Sequence, residues 1–313
     1  MFSLIEVIFL SEIIKEKKLL LIMNPCSGTK RANKFLTDIL VMFGKGGYNY
    51  QVFMTEKSGD AKRIAREYAG YYDLIVAIGG DGTFNEVVSG VLKSKSKTPI
   101  GYIPAGSTND FANSLKMSKN ILNAARDILN GNVAELDIGS FNGRTFSYVA
   151  SFGAFTEASY KTPQNIKNTF GHAAYLLSGI KDIGTIKSKK IKFNADGNEI
   201  YGDFIFGAVC NSTSVGGILT LDSKVVDMSD GVFELLLIRR PKDLFELNEI
   251  VVALSSKKYD TKMITFLSAK TITAETDEDV NWTLDGEYAY GEDKIEIKNL
   301  NKAIKVIIPK KQS

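Results

Sequence analysis

A run of purely apolar residues, Leu74-Ile75-Val76-Ala77-Ile78, ends abruptly in Gly79-Gly80-Asp81-Gly82-Thr83-Phe84-Asn85-Glu86. A run without polar alternation reads as a strand covered on both faces. The glycine-rich segment after it reads as a helix start, because Thr83 and Glu86 have capping-box spacing. Three glycines in four residues let the backbone approach a ligand closely. A helix N-terminus offers free N–H groups to an anion, most often phosphate. Asp81 beside phosphates makes sense mainly as a partner of Mg²⁺. A tight turn with a solvated aspartate uses the same residue types, but plain turns seldom need three glycines around one acid. The segment predicts an open parallel sheet that binds its ligand beyond the carboxyl ends of its strands.

Two further segments repeat this pattern. Asn24-Pro25-Cys26-Ser27-Gly28 follows the apolar run Leu19 to Met23, and Ser27 and Gly28 can both serve a phosphate oxygen. Pro104-Ala105-Gly106-Ser107-Thr108-Asn109-Asp110-Phe111 follows Ile100 to Pro104, and Ser107 and Asp110 again have capping-box spacing. Either loop alone would be an ordinary capped connection. Three of them at strand ends make one nucleotide-phosphate crevice the better reading. There is no Gly-x-x-x-x-Gly-Lys-Ser/Thr run and no Gly-x-Gly-x-x-Gly, which excludes the P-loop and leaves a dehydrogenase site unsupported. Strand candidates at 19–23, 48–54, 74–78, 100–104 and 133–138 alternate with helical stretches near 30–43, 58–70, 83–93 and 118–130. The expected fold is therefore an α/β N-terminal domain with a parallel sheet, over residues 15–140.

The second half, 141–313, reads as a mostly antiparallel β-rich domain. Strands are expected at 146–152, 189–194, 201–211, 231–238, 270–275, 280–287, 294–298 and 303–308, and helices near 164–183 and 241–257. If Val280 to Glu287 is one strand, Val280, Trp282 and Leu284 share one face and Thr283, Asp285 and Glu287 the other. One of its two carboxylates would then suit a base acting on a hydroxyl, although a polar strand face ending in an Asp-Gly turn fits the pattern as well. Asp227-Met228-Ser229-Asp230-Gly231 is an acidic turn, a common motif that by itself does not call for a metal. By pattern alone Asp137 is a surface residue. The lysines at 181, 187, 189, 190 and 192 fit a solvated strand edge or a patch for anionic lipid headgroups.

Composition narrows the chemistry. The 313 residues are 44% hydrophobic and 24% charged, which excludes global disorder. The single histidine, His172, argues against most zinc enzymes and against a Ser-His-Asp triad. Two cysteines form no disulfide scaffold. A net charge of +3 tolerates anionic partners without marking a nucleic-acid binder. The apolar stretch from Met1 to Leu10 is interrupted by Glu6, lacks a basic region before it and is too short to span a bilayer, so any membrane contact is expected to be peripheral.

The ordered trio of motifs resembles the bacterial diacylglycerol kinase family of soluble lipid kinases, related to sphingosine, ceramide and NAD kinases. The resemblance runs from about Lys18 to the C-terminus. It includes Pro104-x-Gly106-x-Thr108-Asn109-Asp110-Phe111-Ala112 and the late motif Asp285-Gly286-Glu287. It implies an ATP- and Mg²⁺-dependent kinase, with nucleotide in a cleft between two domains. By resemblance, Asn24, Ser27, Gly28, Gly79, Gly80, Gly82, Thr83, Asn85, Glu86, Gly106, Ser107, Thr108 and Asn109 contact the nucleotide. Asp81, Asp110 and Asp137 form the acidic network around the catalytic Mg²⁺. Glu287 takes the hydroxyl proton with Asp285 in support. Asp230 helps hold a structural Mg²⁺ beside main-chain oxygens near Asp227 and Val232. Ser107 stands where the family usually has Thr, and Asn113 where it often has Arg.

The expected activity is phosphorylation of diacylglycerol to phosphatidic acid by a cytoplasmic, peripherally membrane-associated enzyme. Its expected partners are a lipid substrate and anionic phospholipid, without nucleic acid; a homodimer is compatible with this reading. The alternatives are another lipid alcohol (a sphingoid base, phosphatidylglycerol or undecaprenol), NAD as acceptor, or nucleotide binding without turnover.

Overall fold

A computed structural model of the chain describes residues 16–153, 177, 180, 183–212, 214–215, 219–221, 227–259 and 261–310. The chain divides into two compact units, Met1–Ser107 with Met117–Ala134 and Lys305–Ser313, and Thr108–Lys116 with Glu135–Ile304. Compared with a single boundary after residue 140, the short segment from Thr108 and the stretch from Glu135 join the second unit. The last residues return to the first.

In the first unit β1 (Lys17–Met23), β2 (Tyr48–Met54), β3 (Leu74–Gly79) and β4 (Ile100–Pro104) form a parallel sheet in the order β2-β1-β3-β4. Every residue of β3 and β4 is buried, as their unbroken apolar runs require. The connections carry α1 (Leu36–Lys45), α2 (Asp60–Tyr68) and α3 (Asp81–Ser94). After α4 (Asp110–Ser114), which belongs to the second unit, comes α5 (Ile121–Asn130). Leu19, Leu21, Met23, Val76, Ile78 and Ile103 pack with Phe43 and Ile128 into one apolar cluster. Helices α2 and α3 meet at Gly90. A Cβ there would lie 2.4 Å from the Lys62 carbonyl oxygen and 2.6 Å from the Ala65 Cβ, so the contact admits no side chain.

The second unit contains β5 (Asn132–Phe141), whose first residues count with the first unit, β6 (Arg144–Phe146), β7 (Val149–Gly153), β8 (Lys189–Ala195), β9 (Asn198–Cys210), β10 (Ser214–Val215), β11 (Leu219–Thr220) and β12 (Phe233–Arg239). Helix α6 (Leu244–Ser256) comes next, then β13 (Ile264–Ala269), β14 (Thr271–Glu275), β15 (Trp282–Leu284), β16 (Glu287–Ala289) and β17 (Lys294–Ile308). The order β16-β15-β7-β9-β8-β14-β17 is antiparallel throughout, with β12 also paired to β9 and β13 to β12. Phe146, Phe152, Phe193, Phe204, Phe233 and Trp282 fill its core. At the far end of β17, Val306 pairs in parallel with Ile100 of β4. The sheet is thus parallel in the N-terminal part and antiparallel in the C-terminal part, as the sequence predicts.

Local differences have physical causes. The expected strand 280–287 is a hairpin, because Asp285 (φ 51°) and Gly286 (φ 85°) are both left-handed. Two positive φ values in succession make the tight turn that matches strand twist. The expected strand 146–152 is broken at Ser147-Tyr148, where the backbone N–H groups leave the ladder to bond the Asp285 carboxylate. The segments 294–298 and 303–308 belong to one strand, β17. Strand β13, absent from the sequence-based expectation, flanks β12. The helix expected at 164–183, with His172 and Lys181, falls mainly outside the described residues.

Replacing Gly90 by Val should destabilise the fold by about 1–3 kcal/mol through overpacking of α2 against α3. Thermal unfolding should show a drop of about 2–4 °C per kcal/mol.

Candidate functional site

The first group of expected site residues lies at the carboxyl ends of β1, β3 and β4. Strand pairing carries their loops to one edge of the sheet: Asn24 N–H donates to the Ile78 carbonyl (2.9 Å) and Ala105 N–H to the Gly79 carbonyl (2.7 Å). Ser27 Oγ accepts from Gly80 N–H (3.3 Å), and Asn24 Nδ2 donates to Thr83 Oγ1 (3.4 Å). Gly28 sits at φ 52°, where a Cβ would come 2.4 Å from the Ala105 carbonyl oxygen. A Cβ on Gly80 would approach Gly106 Cα to 3.3 Å. Asn24, Ser27, Gly28, Gly79, Gly80, Thr83 and Gly106 are thereby gathered around a backbone-walled edge, with Gly82 and Ser107 next to them in the chain. Glycine backbone at such an edge leaves room for a close-lying group, and a phosphate is the ligand that such loops commonly take.

Helix α3 begins at Asp81, with Gly80 as its N-cap and no side-chain cap. The capping box expected from Thr83 and Glu86 does not form. Glu86 reaches instead to the start of the neighbouring helix, accepting from Gly59 N–H (2.7 Å), Ala61 N–H (3.1 Å) and Ser58 Oγ–H (3.2 Å). That carboxylate supplies the cap that Gly59 cannot. Asn85 is buried in α3. The second expected capping box also differs: Asn109, at φ 55°, is the N-cap of α4, and Asp110 is its first residue, 2% exposed. Thr108 accepts from Asn113 Nδ2 through its carbonyl (3.0 Å), so Asn113 braces this loop locally.

In the second unit Asp137 is wholly buried in β5. Its Oδ2 accepts from Gly231 N–H (2.7 Å) and Asn299 Nδ2 (3.2 Å). Its Oδ1 accepts from Asn301 Nδ2 (3.0 Å) and Lys302 N–H (2.6 Å). Four N–H donors occupy the four lone-pair directions of a carboxylate, which leaves none for a direct bond to a metal. Asp137 instead fastens the acidic turn and β17 to β5. Within that turn Asp227 Oδ1 accepts from Ser229 N–H (3.0 Å) and Oγ–H (2.7 Å), and Asp230 Oδ1 from Val232 N–H (3.1 Å). Among the described residues no three acidic, histidine or cysteine side chains converge as a metal cluster. Hard main-chain and carboxylate oxygens are nevertheless the donor type that Mg²⁺ takes.

The expected site does not include Glu234, a lone acid in the apolar strand β12. It is 1% exposed, and its Oε2 has no hydrogen-bond partner. Burial first, then the charges of Asp230 and Asp227, push it up to about 8. Its cross-strand neighbour Cys210 is pushed up as well, by burial and by Glu234.

Asp285 and Glu287 do not share a strand face. Asp285 turns inward, 7% exposed, and accepts the backbone N–H groups of Ser147, Tyr148 (2.9 Å) and Val149 (3.0 Å). Glu287, just past the hairpin turn, is exposed and pairs with Arg144 (Nη2 to Oε2, 2.9 Å), whose Nη1 donates to the Tyr288 carbonyl (2.8 Å). Arg144, also missing from the expected site, orients that carboxylate. No local spacing signals it, since its partner lies 143 residues away.

Comparisons with known proteins show the family and the fold. A model of the diacylglycerol kinase catalytic domain matches residues 18–141. A diacylglycerol kinase of Bacillus subtilis (strain 168) is 33% identical over 301 residues, covering 95% of this chain and 98% of its own length. One from Staphylococcus aureus (strain MRSA252) is 33% identical over 298 residues, covering 94% and 93%. A crystal structure of a diacylglycerol kinase from Bacillus anthracis (strain Sterne) superposes with a TM-score of 0.74 at 23% identity, covering 94% of this chain and 97% of that one. Another structure from that strain gives a TM-score of 0.80 at 24% identity, covering 94% and 98%. At these identities the structures speak for the fold.

Removing the Asp137 carboxylate (Asp137→Ala) should cost about 3–5 kcal/mol, because buried donors lose their acceptor. Urea unfolding would show it. Glu234 predicts a pH dependence. Below its ordinary value of 4.5 it is protonated in both folded and unfolded chains. Between 4.5 and about 8 only the unfolded chain ionises, so stability falls as pH rises, and above about 8 the full penalty applies. In chelator, Glu234→Gln should therefore show a flatter stability profile than wild type, with its relative gain growing from about pH 5 to pH 8.

Proposed function

The chain belongs to the diacylglycerol kinase family of lipid kinases, and on that premise we propose that it transfers the γ-phosphoryl group of ATP, with Mg²⁺, to the free hydroxyl of diacylglycerol, making phosphatidic acid. The observation that carries the nucleotide half is the gathering of three loops at the carboxyl ends of β1, β3 and β4. The acceptor half is supported by the relatives, which are diacylglycerol kinases matched over nearly their whole length. The reaction would run at the inner surface of a membrane, reached from the cytoplasm.

Phosphoryl transfer asks a protein mainly for alignment and charge stabilisation. When bound, Mg²⁺ supplies charge neutralisation at the phosphates. Among this chain's own residues, the backbone of 79–83 and Ser27, Gly28, Gly106 and Ser107 would grip the phosphate oxygens. Asp81 and Asp110 would hold the metal, each as a hard oxygen donor in the first turn of its helix. Asp137 contributes by fastening the acidic turn. Glu287 would accept the proton of the attacking hydroxyl, held in place by Arg144. Asp285 is the positioning residue for Glu287, since it locks the hairpin against residues 147–149.

Purified protein with labelled ATP and Mg²⁺ should place label in phosphatidic acid when given diacylglycerol in mixed micelles. It should place little in sphingosine, ceramide, phosphatidylglycerol, undecaprenol or NAD. Glu287→Ala and Asp81→Ala should each lower kcat by at least ~10² while the protein stays folded. Near-normal turnover in either variant would remove that residue from its role, and label in another acceptor would replace the substrate.

A further inference from the structure

Helix α6 buries Leu247, Ile250, Ala253 and Leu254 along one side. On the other side Leu244 is 60% exposed, Phe245 79% and Val252 55%. Phe245 and Val252, two turns apart, line a shallow groove of about 470 Å³ with Lys258 at its end. Large apolar side chains exposed together on one helix call for a covering partner.

The surroundings are basic. Lys242, Lys258 and Lys262 are exposed and make no ion pair with any described residue. A second cavity, of about 770 Å³, lies beside the start of α6 and is lined by Arg239, Arg240, Lys242 and Lys262 with Asp203 and Glu246. Arg239 is partly spent on the Tyr201 carbonyl (3.2 Å) and the Phe204 ring (5.3 Å). The acids of α6 keep their charge, but two of them are tied to backbone N–H groups at its start. Asp243 caps the helix by accepting from Glu246 N–H, and Glu246 accepts from Lys242 N–H, which leaves Glu249 at the groove. The lysine run at 187–192 is different: Lys189 pairs with Glu278 (3.4 Å), Lys192 with Glu199 (2.7 Å), and Lys190 lies over the Tyr201 ring.

We infer that the outer side of α6, with the basic cavity beside its start, is the surface that docks on a bilayer containing anionic phospholipid. Leu244, Phe245 and Val252 enter the boundary between headgroups and acyl chains, and Lys242, Lys258 and Lys262 meet the phosphates. An apolar face rimmed by exposed lysines that form no ion pair with a described residue is the pattern of an interfacial helix. A second copy of the chain fits less well, because a two-fold contact would set these lysines near their own counterparts. The inference rests on the lipid-kinase reading only in expecting a bilayer, so binding is measured without ATP or diacylglycerol.

The test is sedimentation of the full-length protein with phosphatidylcholine vesicles, with and without phosphatidylglycerol. Wild type should bind the anionic vesicles, more weakly as salt rises. The double variant Phe245→Glu/Val252→Glu and the triple variant Lys242→Glu/Lys258→Glu/Lys262→Glu should each lose at least ~tenfold in partitioning. Both should keep wild-type circular dichroism and wild-type turnover of a short-chain, soluble diacylglycerol. Phe245→Trp should retain binding and shift its emission to the blue on the vesicles. The docking surface is overturned if either charge-bearing variant binds like wild type, or if wild type ignores anionic vesicles. It is also overturned if the double variant changes the oligomeric state while vesicle binding persists, which would make α6 a contact between copies. Intact vesicle binding with no turnover of the soluble diacylglycerol would sink the kinase reading and leave the docking surface standing.

Discussion

The Asp137 carboxylate lies in the middle of β5 with no exposure to solvent, and the order of the acidic turn and of β17 depends on that placement. A buried charge is tolerable only when its lone pairs are met by donors. Here they are met by Gly231, Asn299, Asn301 and Lys302, which come from two distant stretches of chain. The backbone of the same residue continues the link, since Asp137 N–H donates to the Met228 carbonyl (2.8 Å) and its own carbonyl accepts from Asn211 Nδ2 (2.7 Å). One side chain thus fixes the geometry of the turn that carries Asp227 and Asp230.

The same device recurs. Asp285 receives three consecutive backbone N–H groups at 147–149, and Glu86 receives those at the start of α2. Asp196 takes the N–H groups of Lys270 and Thr271 where β13 passes into β14. Charge-assisted bonds to backbone N–H are stronger than neutral ones. They hold the shape of loops that have little other regular structure. The motifs therefore mix two kinds of acid. Glu287 is exposed, with its carboxylate fixed from one side by Arg144, and suits chemistry; Asp137, Asp285 and Glu86 face inward and hold the frame.

This division explains what the sequence could and could not disclose. Strands β1, β3 and β4 are legible because each carries a bare apolar run, and the meeting of their loops because glycines cluster where those runs stop; β2 mixes polar and apolar residues. The capping boxes are misread because spacing of three residues reports what Glu86 and Asp110 are able to reach, not what lies nearest after packing. Glu86 finds a better-placed set of donors on α2. Asp285 misleads for a related reason. Alternation along 280–287 assumes extended backbone, and an Asp-Gly pair at positive φ cancels it. Asp137 and Arg144 draw their partners from residues dozens to more than a hundred positions away, and no local pattern encodes such partners. Only Glu234 leaves a trace, as the one charge in Phe233 to Ile238.

Charge is distributed unevenly over the molecule, and this bears on how it meets a surface. A net charge of +3 looks too small to direct the protein to any surface. Yet that sum does not say where the charges lie: carboxylates that accept backbone N–H bonds keep their charge, at places those bonds fix. On β8, an inner strand of the sheet, Lys189 and Lys192 have acid partners. Around α6, Lys242, Lys258 and Lys262 are exposed and form no ion pair with a described residue. Attraction to an anionic surface falls off within about a Debye length, ~8–10 Å at physiological salt. It therefore depends on the charges within that distance, not on the sum over the chain. A mild overall balance and an apolar helix face rimmed by lysines are compatible for this reason.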